Sequence, residues 1–187
     1  MNVEPLDISG AWLINGHRFA DDRGWFQEWF KYSAMVETTG VEFKPVQANI
    51  SQSAAGVIRG IHYSTAERGQ GKLVTVMAGE VDDYVIDLRP GSPTFGQWRR
   101  VRLSSDTGDA LLLDPHLGHA FQARVDGTVV SYLVTAEYNP EAEKGITPFC
   151  SELGITWDAS LTVSTSPKDT AAPGLSEQLK AGNLPRL

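Results

Sequence analysis

The middle of the chain alternates apolar and polar positions over short runs, the period of half-buried β-strands. The stretch "KLVTVMAGEVDDYVIDLRPGSPTFGQWRRVRL" predicts strands on either side of Ala78-Gly79-Glu80, then a turn at Pro90-Gly91-Ser92-Pro93. "AGVIRGIHYS", "ALLLDP" and "GTVVSYLVTAEY" predict three more strands, the last entered through Asp126-Gly127, a hairpin signal. Helical spacing is scarce. Phe30–Gly40 closes on a glycine, and Gly174–Gly182 offers Ser176 as an N-cap and Gly182 as a stop. From Cys150 onward the chain carries Pro167, Pro173 and Pro185, which predicts a tail wrapped over the sheet. No repeat, low-complexity block or clean linker interrupts it, so residues 1–187 read as one domain. Many close strands with few helices predict an all-β sandwich or barrel.

Composition narrows the function classes. Of 187 residues, 41% are apolar and 21% charged, enough to bury a real core. The formal charge of -7 argues against a nucleic-acid partner, although a few local arginines can still hold a small anion. The basic run "QWRRVRL" alternates with apolar residues and reads as the solvated face of a strand. No run of 18 apolar residues predicts a membrane span, and "MNVEPLDISG" has neither a basic start nor an apolar core, so no secretion signal is expected. A lone Cys150 forms no internal disulfide, which suits a reducing cytoplasm.

"GVIRGIHYS" raises the first chemical question, because it sets Arg59 and His62 in an otherwise apolar strand. Positions three apart face opposite sides of a strand unless a bulge, here permitted by Gly60, turns both the same way. Burying both is costly without a ligand or partner. The four histidines, His17, His62, His116 and His119, lack the paired spacing of a metal-binding cupin, because Ser64 stands where a second ligand would be. No G-x-S-x-G elbow, phosphate loop or dinucleotide fingerprint occurs. Acid–base chemistry by His62, with tyrosine and lysine partners, is what the residues leave.

Five stretches together carry a resemblance: "DDRGWFQEWF", "VQANIS", "GVIRGIHYS", "QGKLVTVMAGEVDDYVIDLRPGSPTFGQW" and "YNPEAEKGI". In this order they resemble the sugar-nucleotide epimerases of the RmlC type, dTDP-4-dehydrorhamnose 3,5-epimerase and its antibiotic-sugar relatives. The likeness covers nearly the whole chain. It implies a cupin-type jelly-roll barrel with a few short helices and a wrapping C-terminal tail, forming a homodimer and needing no cofactor or metal. It implies a dTDP-4-keto-6-deoxyhexose as substrate, inverted at C3, C5 or both, with double inversion ranked first.

The resemblance also implies roles. His62 matches the general base, Asp169 of "SPKDTAAP" its partner, Tyr132 of "VVSYLVT" the general acid, and Lys72 of "QGKL" a catalytic cation. Arg59 and His119 of "LGHAF" would line the sugar pocket, with Asp83 near the lysine. Arg23, Phe26, Glu28, Gln47, Asn49, Tyr138 and Glu143 match positions that hold the nucleotide and diphosphate, partly from the partner subunit. Taken alone, Tyr132 reads as a core tyrosine and Asp169 as a turn residue; the likeness promotes them. The chain departs from the rhamnose-pathway pattern at "DPHLGHAF", at Asp82, where an aromatic is usual, and at "TPFCSELGI" in the tail. An epimerase of a related 4-keto sugar would fit these departures. The rival readings are a silent sugar-nucleotide-binding cupin, a 3,4-ketoisomerase and a metal-dependent oxygenase.

Overall fold

The computed structural model describes residues 2–186. Two antiparallel sheets face each other. The first is six-stranded, ordered β1(Asn2–Pro5), β2(Ala11–Asn15), β10(Ala110–Leu113), β7(Lys72–Ala78), β12(Thr128–Val134), β5(Gln47–Ser53). The second is five-stranded, ordered β13(Glu143–Gly145), β6(Ile58–Ser64), β11(Gly118–Ala123), β8(Glu80–Ile86), β9(Trp98–Ser104). A separate hairpin, β3(Arg18–Asp21) with β4(Gly24–Gln27), stands apart from both. This is the two-sheet sandwich that the strand pattern predicts, in the jelly-roll form that the resemblance implies.

Alternation decides what each face meets. Between the sheets, Val74, Val76, Leu111, Leu113 and Val130 pack on Val81, Val85, Val101, Leu103 and Phe121. Strand β8 is buried on both faces, because its outward Tyr84 and Ile86 lie beneath the C-terminal tail and its outward Asp82 is covered by Arg102 and Arg124. There Ile61, Tyr63 and Tyr84 pack against Ile146, Leu153 and Leu175. The outer face of the six-stranded sheet is covered by α1(Tyr32–Thr39), whose Met35 packs with Phe43, Ile14 and Leu112. Gly40 ends that helix in the left-handed region (φ 73°), its N–H donating to Val36.

Two expectations need correction. Asp126-Gly127 closes no hairpin; it carries the chain from β11 in one sheet to β12 in the other. Turn residues fix a reversal but not which sheet receives the next strand. Ser176 is not the N-cap of the last helix, α3(Leu175–Lys180). Gly174 is, with its N–H donated to the Glu177 carboxylate at 2.9 Å, while Ser176 N–H donates to Glu152. Strands β1 to β5, β11 and β13 lie outside the segments that alternation picked out. In β5 the reason is plain: its inward side chains, Gln47, Asn49 and Ser51, are polar because they face a cavity. Among the described residues no helix is long and apolar enough to cross a membrane.

Candidate active site

A cavity of about 690 Å³ opens between the two sheets at one end of the barrel. Its walls come from β5, β7 and β12 on one side, β6, β11 and β13 on the other, and the tail across the top.

Gly60 explains how β6 presents two polar side chains to it. On β11, His119 pairs with His62 and Phe121 with Arg59, so two steps on β11 match three on β6. That extra residue is a bulge, and it sets Arg59 and His62 on one cavity. Gly60 sits at φ 119°, and a Cβ there would lie 2.6 Å from that of Ala120. Only glycine fits.

His62 Nε2 lies 2.7 Å from Asp169 Oδ1, a contact spanning 107 residues. The tail makes it possible. Ser164 bridges Val57 in parallel, with Ile58 N–H donating to the Ser164 carbonyl at 2.8 Å. Ser166 then caps the one-turn helix α2(Pro167–Thr170), accepting from Asp169 N–H at 3.0 Å. Burial works to raise the Asp169 carboxyl, but hydrogen bonding to His62, Ser166 and the Gly60 N–H outweighs it and leaves it lowered. Asp169 is 7% exposed and His62 about a third, so the imidazole is the member that meets the cavity.

A second histidine–carboxylate pair stands on the neighbouring strand. His119 Nε2 is 2.9 and 3.0 Å from the two oxygens of Asp83, which is fully buried. Asp83, expected beside Lys72, is thus the partner of His119. Lys72 is buried on β7 and donates to Gln70 Oε1 at 2.9 Å. Burial pushes its ammonium down, and the Glu143 carboxylate works against that. Facing β6 from the other sheet, Tyr132 sits between Asn49 and Val74 in register. Burial and Glu143 hold its hydroxyl proton more tightly than usual, with Arg59 opposing.

The remaining polar residues form a rim. Arg59 donates to Ser53 Oγ and to the Gln52 carbonyl, bridging β6 to β5. Gln47 links Asn49 (2.7 Å) to the Tyr138 N–H (2.9 Å). The structure therefore brings together His62, Asp169, Tyr132, Lys72, Arg59, His119, Gln47, Asn49, Tyr138 and Glu143. It does not bring Arg23, Phe26 or Glu28 to this cavity. Arg23 and Phe26 are exposed on the β3–β4 hairpin, and Glu28 lies beyond it, 3.8 Å from Lys31. Lys168, Gln70, Ser51 and Thr165 also line the cavity and were not picked out from the sequence. Lys168 had a signal: it adjoins Asp169 in a one-turn helix. Among the described residues no three His, Cys, Asp or Glu side chains gather as metal ligands, and each cavity histidine already spends a ring nitrogen on a carboxylate.

The family model for dTDP-4-dehydrorhamnose 3,5-epimerase matches residues 5–177. This chain belongs to the dTDP-4-dehydrorhamnose 3,5-epimerase family. It is 40% identical over 183 residues to the enzyme of that name from Streptomyces griseus, covering 98% of this chain and 91% of that one. It is also 40% identical over 185 residues to a dTDP-4-dehydrorhamnose 3-epimerase of Streptomyces niveus, covering 99% and 89%. Among solved structures, NovW, a 4-keto-6-deoxy sugar epimerase from the novobiocin biosynthetic gene cluster of Streptomyces spheroides, superposes with a TM-score of 0.96 at 40% identity. That match covers 100% of this chain and 93% of NovW. Equal identity to a double and a single epimerase means that overall likeness does not choose the carbon inverted.

Proposed function

We propose that this chain removes the proton beside the keto group of a dTDP-4-keto-6-deoxyhexose and returns one to the opposite face. Inversion at both C3 and C5 is placed ahead of C3 alone. The observation that carries this reading is His62 on one sheet, paired with Asp169 of the tail, and Tyr132 on the other sheet, facing one cavity.

A hydrogen α to a ketone is acidic because the carbanion delocalises onto the carbonyl oxygen as an enolate. An ionised Asp169 accepts the His62 Nε2–H, which leaves Nδ1 as the basic nitrogen for the sugar proton. Tyr132 keeps its proton until an enolate carbon draws it, the more so because burial strengthens the O–H. Base and acid approach from opposite sheets, so the carbon inverts. Lys72, together with His119 held by Asp83, would stabilise the developing oxyanion; losing such a donor costs about 10²–10³ in rate. Arg59, Gln47, Asn49, Tyr138 and Glu143 would hold the sugar nucleotide, with the Arg59 fork suited to a diphosphate.

Residues 1–187 act in this reading as one cupin domain that pairs with a second copy. Arg23, Phe26 and Glu28, remote from the cavity of their own chain, would then complete that of the partner. No metal or cofactor takes part.

The test is proton NMR of dTDP-4-keto-6-deoxyglucose incubated with the protein in D₂O. Deuterium at C3 and C5 is expected. Deuterium at one carbon makes the protein a monoepimerase. No exchange with retained dTDP binding would make it a silent binder, and a carbonyl moved to C3 in the carbon spectrum would make it a ketoisomerase.

A further inference from the structure

On the outer face of the five-stranded sheet, away from the cavity, lies an ion cluster built around Asp82. This carboxylate is 1% exposed. It accepts from Arg102 Nε at 2.8 Å and Arg124 Nη1 at 3.3 Å, and Arg100 approaches to 4.0 Å. Arg124 is shared: the same Nη1 also donates to Asp158 Oδ2. Asp158 belongs to the tail, and a second grip holds it. Its N–H donates to Gln122 Oε1 at 2.8 Å, and its carbonyl accepts from Gln122 Nε2 at 3.2 Å. Gln122 is fully buried, so this two-way bond satisfies its side-chain amide and the Asp158 backbone together.

From this anchor the tail runs straight to the catalytic pair. Asp158 Oδ1 accepts from Ser160 N and Oγ (2.8 and 2.6 Å), which turns the chain. The Thr162 carbonyl then passes so close to Gly56 that a Cβ there would lie 2.2 Å away. Ser164 bridges Val57, Ser166 caps α2, and Asp169 follows three residues on. Between Asp158 and α2 the chain has no regular strand or helix of its own, so its path is set by what grips it.

We propose that Asp158, held by Gln122 and Arg124, is a positioning residue that sets the approach of Asp169 to His62. This rests on the reading of His62 as base. Asp82 supplies the buried charge that fixes Arg124, so the residue that departs from the family pattern serves the catalytic pair from the far side of the sheet. A hydrogen bond of 2.7 Å tolerates little drift, and a misplacement of about 1 Å in a reacting geometry costs as much as 10²-fold.

The test uses the full chain with Asp158→Asn, which keeps shape and removes the charge, and Gln122→Met, which keeps volume and removes the two-way bond. The first readout is the proton spectrum of ¹⁵N-histidine-labelled protein, in which the His62 imidazole N–H is assigned by its loss in Asp169→Asn. In folded variants that resonance is expected to move upfield or vanish, kcat to fall about tenfold, and KM to stay within about twofold. Asp158→Asn placed in the Asp169→Asn background should change kcat by less than about twofold, because the two act through one contact. An unmoved resonance with unchanged kcat in a folded variant, or losses that multiply in the double variant, would overturn the proposal. If Asp158→Asn does not fold, Gln122→Met carries the same test. If the parent turns over no substrate, the epimerase reading fails while the imidazole resonance still decides the positioning role.

Discussion

Two buried carboxylates show how the same chemistry serves different ends. Asp87, at the start of the loop joining β8 to β9, is fully buried and answered within seven residues. It accepts from Arg89 N, Nε and Nη2 and from the hydroxyls of Ser92 (2.5 Å) and Thr94 (2.6 Å). Asp169 reaches across 107 residues to a single ring nitrogen, and that ring opens onto a cavity. Burial works to raise both carboxyls, and in both the hydrogen bonds outweigh it; for Asp87 they hold it at about 2. What differs is the partner. Asp87 meets a guanidinium and hydroxyls that do not titrate near neutrality, so it can only hold a loop. Asp169 meets an imidazole, a ring that can donate from one nitrogen and accept at the other, and that ring faces the cavity.

The largest effect should come from the pair that faces the cavity. His62→Ala removes the proposed base and should abolish turnover, a loss of about 10⁴-fold or more, while dTDP binding measured by calorimetry stays nearly intact. Full activity in that variant would erase the distinction drawn here. Asp169→Asn should follow at about 10²–10⁴-fold in kcat, since the ring stays but loses the carboxylate that orients its tautomer. KM should change little, because Asp169 meets His62 and not the nucleotide rim.

Asp87→Asn should do the reverse. Breaking a buried ion pair costs about 3 kcal/mol, read as a lower Tm, with kcat in the folded protein within about twofold of the parent. The pH dependence has a definite sign. The folded carboxyl titrates at about 2, below its unfolded value of about 3.9, so its stabilising effect is full above pH ~4 and fades as pH falls toward 2. Integrated over that window it amounts to roughly 2 to 3 kcal/mol. Asp169 is lowered too and has the same sign. In Asp87→Asn the acid limb of a Tm–pH curve should therefore be shallower than in the parent. An unchanged limb would show that the loop carboxylate contributes nothing.

The contrast also explains what could be read without coordinates. The strands carrying apolar runs or apolar–polar alternation announced themselves, and so did the bulge, because Gly60 stood between two costly side chains. Strand β5 was hidden because its inward face is polar and lines the cavity, where a core-facing strand would be apolar. The loop partners of Asp87 lie within "DLRPGSPT", so local reading could reach them. The partner of His62 was visible only through family likeness, since no spacing rule joins residues 107 apart. The His119 partner of Asp83 was hidden for a related reason: register decides which side chains meet, and it runs β8 beside β11 so that the Asp83 carboxylate reaches the His119 ring.

A third pair sharpens the comparison at its small end. Asp21 and Arg23 repeat the Asp87–Arg89 spacing, and Arg23 likewise donates backbone and side-chain hydrogens to the carboxylate. Yet this pair sits on the β3–β4 hairpin with side chains 52% and 90% exposed, against 0% and 8% in the loop. Water and salt screen it, so the same spacing should hold nothing together. Arg23→Ala should leave Tm unchanged within error. If the hairpin completes a partner's cavity, KM for the sugar nucleotide should rise several-fold with kcat intact, and that rise should shrink as added salt screens the arginine. A drop in Tm would mean that the spacing, and not burial, sets the strength of such pairs. An unchanged KM would mean that Arg23 stays in water and the nucleotide is held by one chain alone.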